Sequence, residues 1–331
     1  MCVAMANTFR TLQAKPTADS LIKPAELVDI VEMTPLTLTD RRIYNLLIEH
    51  AWDTIDKPIE HYIAKKDLRG SHNVNDRVGE SIERLMAAIV KIKVVREGHE
   101  EIERVQLLGG NAEQLRADGV VRYEFPAKLR RIIKNSTIFA RLQKEVMFAL
   151  SSKYALALYE MIQKRGNMRR NSEEFSLAEL RGFLGVPKGK LTTWSNFNNR
   201  ALAPAVKEVS ALSDYIVETL PLRTGRTVTR VQLTWWPKDG EGIQKVAAEL
   251  NYSKVGRKAR VDGAVETLKS REQLAPLKTE TYEEARARFP GWDVYYMEQE
   301  WRHWMVDRTP PQDPDKAFLG FCDGHTKRNQ L

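Results

Sequence analysis

One stretch, Leu177–Trp236, restricts the fold more than any other part of the 331-residue chain. It opens with Leu-Ala-Glu-Leu-Arg-Gly after Ser176, a natural N-cap, and passes a short Gly/Pro turn. A polar-to-apolar run follows, holding Ser195-Asn-Phe-Asn-Asn-Arg200. Two β-like runs, Tyr215–Thr219 and Val228–Trp235, then flank Arg223-Thr-Gly-Arg226. A short helix, a turn, a longer helix and a basic hairpin make a winged helix, a variant of the helix-turn-helix that sets its second helix in a DNA groove.

The longer helix has two distinct sides. At about 100° per residue, Phe197, Ala201, Leu202, Ala205, Val206, Val209 and Leu212 gather on one side, which suits a core. Asn196, Asn199, Arg200, Lys207 and Ser210 gather on the other. Arginine pairs bidentately with guanine and asparagine with adenine in the major groove, so this second face is a candidate base-reading surface. An Asn-rich loop and N-cap region is the competing reading. Asn198 falls on the core side and is assigned to capping or packing. Pro204 costs about 3 kcal/mol inside a regular helix, so a kink or a restart is expected there. Lys188 and Lys190, before the helix, are candidate phosphate contacts. Arg223, Arg226 and Arg230 are candidate backbone or minor-groove contacts, and Trp235-Trp236 is expected to pack the hairpin.

Charge supports the same region independently. The net charge of +8 is unevenly spread. Residues 1–119 hold 16 basic and 19 acidic side chains, whereas residues 120–237 hold 20 and 9, a net of +11. The last two segments, 238–280 and 281–331, are near balance, at 9 against 7 and 7 against 9. Positive charge confined to one domain suits a polyanion-binding surface.

The remainder reads as follows. Residues 1–35 form an N-terminal lead in which Pro16, Pro24 and Pro35 preclude a long helix, and Glu26–Val31 is a candidate edge strand. Residues 36–125 show helix, short helix, long helix and hairpin, a second winged-helix unit. Its third helix is predicted over Asn73–Lys91, with strands at Val94-Val95, Ile102–Leu108 and Val120–Phe125. Arg69, Asn73 and Arg77 are its candidate DNA contacts. Its outer face also carries Asp76, Glu80 and Glu83, so protein contact is its main expected role. Residues 126–237 hold the sequence-reading domain, beginning with a basic helix after Pro126 and a long helix over Arg141–Arg165 ending at Gly166. Asp67-Leu-Arg-Gly70 and Glu179-Leu-Arg-Gly182 occupy equivalent places, as in a tandem pair. Residues 238–280 read as a mixed-charge linker with a basic knot at Gly256–Arg260. Residues 281–331 read as a small helical module, with Val294, Met297, Trp301 and Trp304 at helical spacing. The expected class is α+β: two tandem winged helices with a helical C-terminal appendage.

Other chemistry is not indicated. No apolar run approaches the roughly 20 residues of a membrane span, and no secretory leader is apparent, so a cytoplasmic protein without membrane contact is expected. The two cysteines, Cys2 and Cys322, have no ligand-like spacing. Gly185-Val-Pro-Lys-Gly189-Lys190 is a residue short of a phosphate loop and lacks Ser/Thr after the lysine. The six histidines include no His-x-His pair, which argues against a metal-dependent nicking enzyme. No cofactor, metal or catalytic residue is expected.

The chain resembles the iteron-binding plasmid replication initiators, the Rep initiator family. The resemblance rests on Leu36-Thr-Leu-Thr-Asp-Arg-Arg-Ile-Tyr-Asn45, Leu68-Arg-Gly-Ser-His72, Ser151-Ser-Lys-Tyr-Ala-Leu-Ala-Leu-Tyr-Glu160, Leu184-Gly-Val-Pro-Lys-Gly-Lys-Leu191 and Gly225-Arg-Thr-Val228. These lie in order within residues 24–238. The resemblance implies double-stranded origin repeats as ligand, read by the second winged helix, and a monomer–dimer equilibrium supported by the first. It also implies recruitment of a host initiator ATPase and the replicative helicase, with no enzymatic activity. Asn199-Arg200 matches the start of the family's recognition helix, with fewer arginines here. A DNA-binding repressor without a replication role is the alternative reading.

Overall fold

The computed structural model describes residues 9–68, 77–96, 98–114, 119–166, 168, 170–252, 256–261, 277–305 and 311–328. They fall into two units, Met1–Val261 and Asp262–Leu331.

The first unit opens with β1 (Ser20–Pro24), buried along its whole length, a 3-10 turn over Ala25–Leu27, and β2 (Val31–Glu32). Helix α1 (Leu38–His50) starts at a capping box between Thr37 and Asp40. Then come β3 (His61–Ala64), α2 (Lys65–Leu68), α3 (Arg77–Ala87), β4 (Ile89–Arg96), β5 (His99–Gln106), β6 (Asn111–Glu113) and β7 (Val120–Tyr123). The helix expected to reach Lys91 stops at Ala87, because Val90 and Ile92 are buried at alternate positions and follow the period of a strand. The strands also divide into two antiparallel sheets, β2-β4-β5 and β3-β7-β6, rather than one ladder. Arg69 and Asn73 lie outside the described residues, as does the side chain of Arg77. Arg84 is committed to structure: its Nε and Nη2 donate to the fully buried Asp40 carboxylate at 3.0 and 2.9 Å.

The chain continues through α4 (Ala127–Asn135), β8 (Phe139–Gln143), α5 (Lys144–Ala149) and α6 (Lys153–Arg165). The single helix predicted over 141–165 is therefore a strand and two helices. Ser152 explains the restart, since its hydroxyl accepts from Ala155 N at 3.0 Å as an N-cap. Gly166, expected to end the helix, does so as its C-cap, with φ −58°. Its requirement is space: a Cβ there would stand 2.1 Å from Tyr215 Oη. Gly166→Ala should cost about 1–2 kcal/mol through overpacking, seen as a lower urea midpoint at unchanged slope. An unchanged midpoint would mean that Tyr215 moves aside freely.

The rest of the unit is β9 (Ser172–Ser176), α7 (Leu177–Phe183), α8 (Trp194–Phe197), a π turn over Asn198–Leu202, α9 (Ala203–Leu212), β10 (Tyr215–Thr224), β11 (Thr227–Pro237), α10 (Gly240–Asn251) and α11 (Arg257–Val261). Strand β11 lies between β10 and β9. Residues 238–252 and 256–261 differ from the expected linker. Helix α10 contacts α5 and α9 and buries Val246, and Arg257 and Arg260 both turn back onto Glu249, at 3.3 and 2.8 Å. Those two cations of the basic knot are used inside the fold.

The lead is not loose where it is described. Strand β1 pairs antiparallel with β8, Ser20 opposite Gln143 and Pro24 opposite Phe139. Leu27, Val28 and Ile30 are buried although they form no long strand, because a 3-10 turn carries them into the core. Lys23 Nζ lies 2.8 Å from Glu160 Oε2 with both side chains at most 2% exposed. Asn45 donates to the other oxygen of Glu160 at 2.8 Å. Arg41 stands between Glu160 and Glu32, at 3.6 and 2.7 Å. Burial lowers the pKa of Lys23, and the charge of Glu160 opposes that shift.

The segment around β2 also joins the two winged helices. Val31 and Glu32 pair with Lys91 and Val90 of β4. On the other side, Val31 packs where a Cβ on Gly182 would meet it at 3.1 Å. Asp29 accepts from Arg165 at 2.9 Å, and Arg165 Nε donates to Glu173 of β9 at the same distance.

The second unit comprises α12 (Thr279–Arg288), α13 (Val294–Trp304) and α14 (Pro314–Arg328). Leu277, Ala285, Val294, Met297, Trp301, Met305, Phe318 and Cys322 form its core. Trp304, expected on the same stripe as Trp301, is 46% exposed. Rather than joining that core, it rests against Phe321, ring centroids 5.7 Å apart.

Candidate nucleic-acid interface

The second winged helix assembles its outward face from three local devices. The first is a capped short helix: Ser176 Oγ accepts from Glu179 N at 3.2 Å, and Glu179 accepts from Ser176 N at 3.0 Å. That capping box fixes the start of α7 and engages one of the domain's few carboxylates.

The second device is the turn. Lys190 N donates to Pro187 O at 3.0 Å and Gly189 has φ 78°, the positive value a type II turn requires at its third residue. Lys188 and Lys190 are exposed on this turn. Leu191 also has a positive φ, 47°, the only non-glycine among the described residues to do so. Arg181 spans the turn from within, donating from Nε to Leu191 O at 3.0 Å and from Nη2 to Thr192 O at 2.8 Å. Its guanidinium also lies 5.1 Å from the centre of the Phe197 ring.

The third device is the long helix. Thr193 caps it by accepting from Asn196 N at 3.3 Å. Phe197, Ala201, Leu202, Ala205, Val209 and Leu212 are buried, with Val206 half-buried at the edge. Asn196, Asn199, Arg200 and Lys207 are exposed, and Asn198 is half-buried. Ser210 serves the fold, accepting from Val217 N at 3.0 Å. The backbone stays in the right-handed helical region from Phe197 to Ala203, so the helix does not restart at Pro204. It widens by one π turn immediately before the proline, and Ala203 N reaches back to Asn198 O. Proline has no N–H for the carbonyl four residues earlier and its ring crowds that carbonyl; the wider turn relieves both problems. Such turns recur at functional sites.

The wing is the β10–β11 hairpin, turning at Gly225 with φ 60°. Arg223 and Arg226 are exposed at its tip. Arg230 stands farther down β11 and pairs with Glu174 at 3.0 Å, so part of its charge is answered within the protein. Trp235 is 1% exposed and packs the hairpin. Two acidic groups nearby are engaged: Glu208 accepts from Ser151 N, and Asp214 from Gln163. Burial pushes the Glu208 carboxyl above its ordinary pKa.

Residues 21–163 match the family described as Initiator Replication protein, WH1, and residues 176–235 the one described as Initiator Rep protein, WH2. The chain belongs to the Rep initiator family. This Rep initiator is an α+β protein with two tandem winged helices, a DNA-binding initiator of replication. A crystal structure of Pi initiator protein in complex with iteron DNA aligns over 67% of this chain and 98% of that one, at 16% identity and a TM-score of 0.47. A crystal structure of RctB domains 2-3 aligns over 71% and 98%, at 14% identity and a TM-score of 0.35. No curated protein matches the chain significantly. Among the described residues no helix is long and apolar enough to cross a membrane, and no three His, Cys, Asp or Glu side chains group as metal ligands.

Sequence reasoning found the exposed residues on the helix, the turn and the wing, but missed Arg181. The residue lies inside the quoted Glu179-Leu-Arg-Gly182, yet its contacts are ten and more residues away. Periodicity within one helix carries no signal for them.

Proposed function

We propose that this Rep initiator starts replication of a plasmid by binding direct repeats (iterons) at its origin, in the cytoplasm. In this reading Asn196, Asn199, Arg200 and Lys207 face base edges in the major groove. Lys188, Lys190, Arg223 and Arg226 hold phosphates or the minor groove, and Arg230 contributes less because of Glu174. The observation that carries the reading is the exposed amide and guanidinium face on a helix whose opposite side is buried. Arg69, Asn73 and Arg77 of the first winged helix (residues 36–125) are proposed as auxiliary contacts. The same domain is proposed to support a monomer–dimer equilibrium; Val95 and Ile102, 68% and 61% exposed on its hairpin, offer apolar surface for it.

The module over residues 281–331 is proposed to dock host replication proteins, a host initiator ATPase and the replicative helicase among them. Its separate core supports its acting as a module. The deciding experiment places the DNA flanking the protein's own gene on a vector and supplies the protein in trans. Maintenance that depends on the protein is expected; tight binding to that DNA without maintenance would favour a repressor. Deleting residues 281–331 should leave origin binding intact and abolish maintenance. Loss of both would mean that the module serves the fold.

A further inference from the structure

We infer that Arg181 is a positioning residue for sequence discrimination: it touches no base but holds the entry of the recognition helix at the angle from which Asn196, Asn199 and Arg200 face the duplex. The inference rests on the DNA-reading role proposed above and assigns a part to a residue outside the exposed face.

The turn before the helix has its own bond from Lys190 N to Pro187 O, and Val186 and Leu191 pack against the core. The turn also contains two glycines at positive φ, Gly185 at 68° and Gly189 at 78°, whose backbones admit many conformations when unrestrained. It ends on Leu191 at φ 47°, a region a branched side chain enters only when its surroundings impose it. Arg181 clamps the Leu191 carbonyl in that conformation, alongside the packing of the Leu191 side chain on the core. Its side chain binds the carbonyls of Leu191 and Thr192, and its own carbonyl accepts from Val186 N at 2.9 Å, so one residue ties both ends of the turn. The planar guanidinium also rests on Phe197, the first fully buried residue of the helix. Asn196, Asn199 and Arg200 lie within three positions of Phe197. A rotation of the helix start therefore redirects all three, and bidentate base contacts tolerate little misplacement. Phosphate contacts from Lys188, Arg223 and Arg226 depend on charge and are far less sensitive to angle. Lysine cannot replace this arginine in full, because an ammonium lacks the planar fork that reaches two carbonyls while stacking on a ring.

The test uses the full-length protein and the duplex it enriches from a random-sequence pool, with a scrambled duplex as control. Arg181→Ala should weaken binding to the enriched duplex about tenfold or more and change binding to the scrambled one by no more than about twofold, with an unchanged salt slope. Arg181→Lys should fall between Arg181→Ala and wild type. Adding Leu191→Gly to Arg181→Ala should recover part of the discrimination, because glycine adopts the positive φ without a clamp. Retained discrimination in Arg181→Ala would overturn the inference. So would equal losses on both duplexes with a lowered urea midpoint and no recovery by Leu191→Gly, which would make Arg181 a support of the fold alone. If the wild-type protein enriches no duplex, the DNA-reading proposal itself fails, separately from the role of Arg181.

Discussion

Glu160→Ala should remove about 3–5 kcal/mol of stability, the usual effect of deleting one partner of a buried ion pair. That is a large part of the 5–15 kcal/mol that holds a typical domain. Lys23 would stay at 2% exposure without its carboxylate, and the Asn45 amide would lose its oxygen acceptor and keep only Met147 Sδ at 3.4 Å. Arg41 would keep Glu32 at 2.7 Å, so the site would be damaged but not emptied. Urea unfolding at neutral pH measures the loss; a change under about 1 kcal/mol would mean that water compensates Lys23. The double variant Lys23→Met/Glu160→Leu should be more stable than Glu160→Ala alone, since matched apolar replacements avoid leaving an unpaired charge. A double variant worse than the single would show that the pair contributes more than its desolvation costs.

On DNA, Arg200→Ala is expected to cost about 1–3 kcal/mol on the preferred duplex and to loosen discrimination at one base pair. Arg226→Ala should instead weaken all duplexes alike and reduce the salt slope by about one. The contrast follows from position. Arg200 stands on the helix about two turns beyond the Thr193 cap, while Arg226 is at the tip of a hairpin whose neighbouring glycine has φ 60°. Binding curves on preferred and random duplexes at several salt concentrations separate the two. Equal effects of both substitutions on both duplexes would mean that the groove assignment is wrong.

Much of the second winged helix was legible because its signals are local. Ser176 and Glu179 spell a capping box three residues apart, and the apolar stripe from Phe197 to Leu212 repeats with the helical period. Pro204 signalled an irregularity but not its form, since a π turn, a kink and a restart all relieve the same clash. Two larger errors have non-local causes. Ser20–Pro24 has no alternation to read, being buried on both faces with a lysine inside, and its partner strand is remote in sequence. Val146, Leu150 and Tyr154 continue a helical spacing across a break, and only Ser152 as an N-cap marks it. The charged cluster around Glu160 was equally invisible, because its members come from β1, α1, α6 and the segment after Ile30.

The pairing of β1 with β8 has a consequence for synthesis on the ribosome. Ser20 emerges some 120 residues before Gln143, its partner in the ladder. At ordinary translation rates that interval is roughly 6–24 s. Throughout it, Leu21 and Ile22, both fully buried in the finished protein, have no strand to pair with. Lys23 waits longer still, until Glu160 has been added. The WH1 region, residues 21–163, therefore closes this ladder and ion pair only when its own last elements have been made. Stalled or truncated translation products ending before Phe139 would expose this apolar strand, and chaperone capture or proteolysis should act on them first.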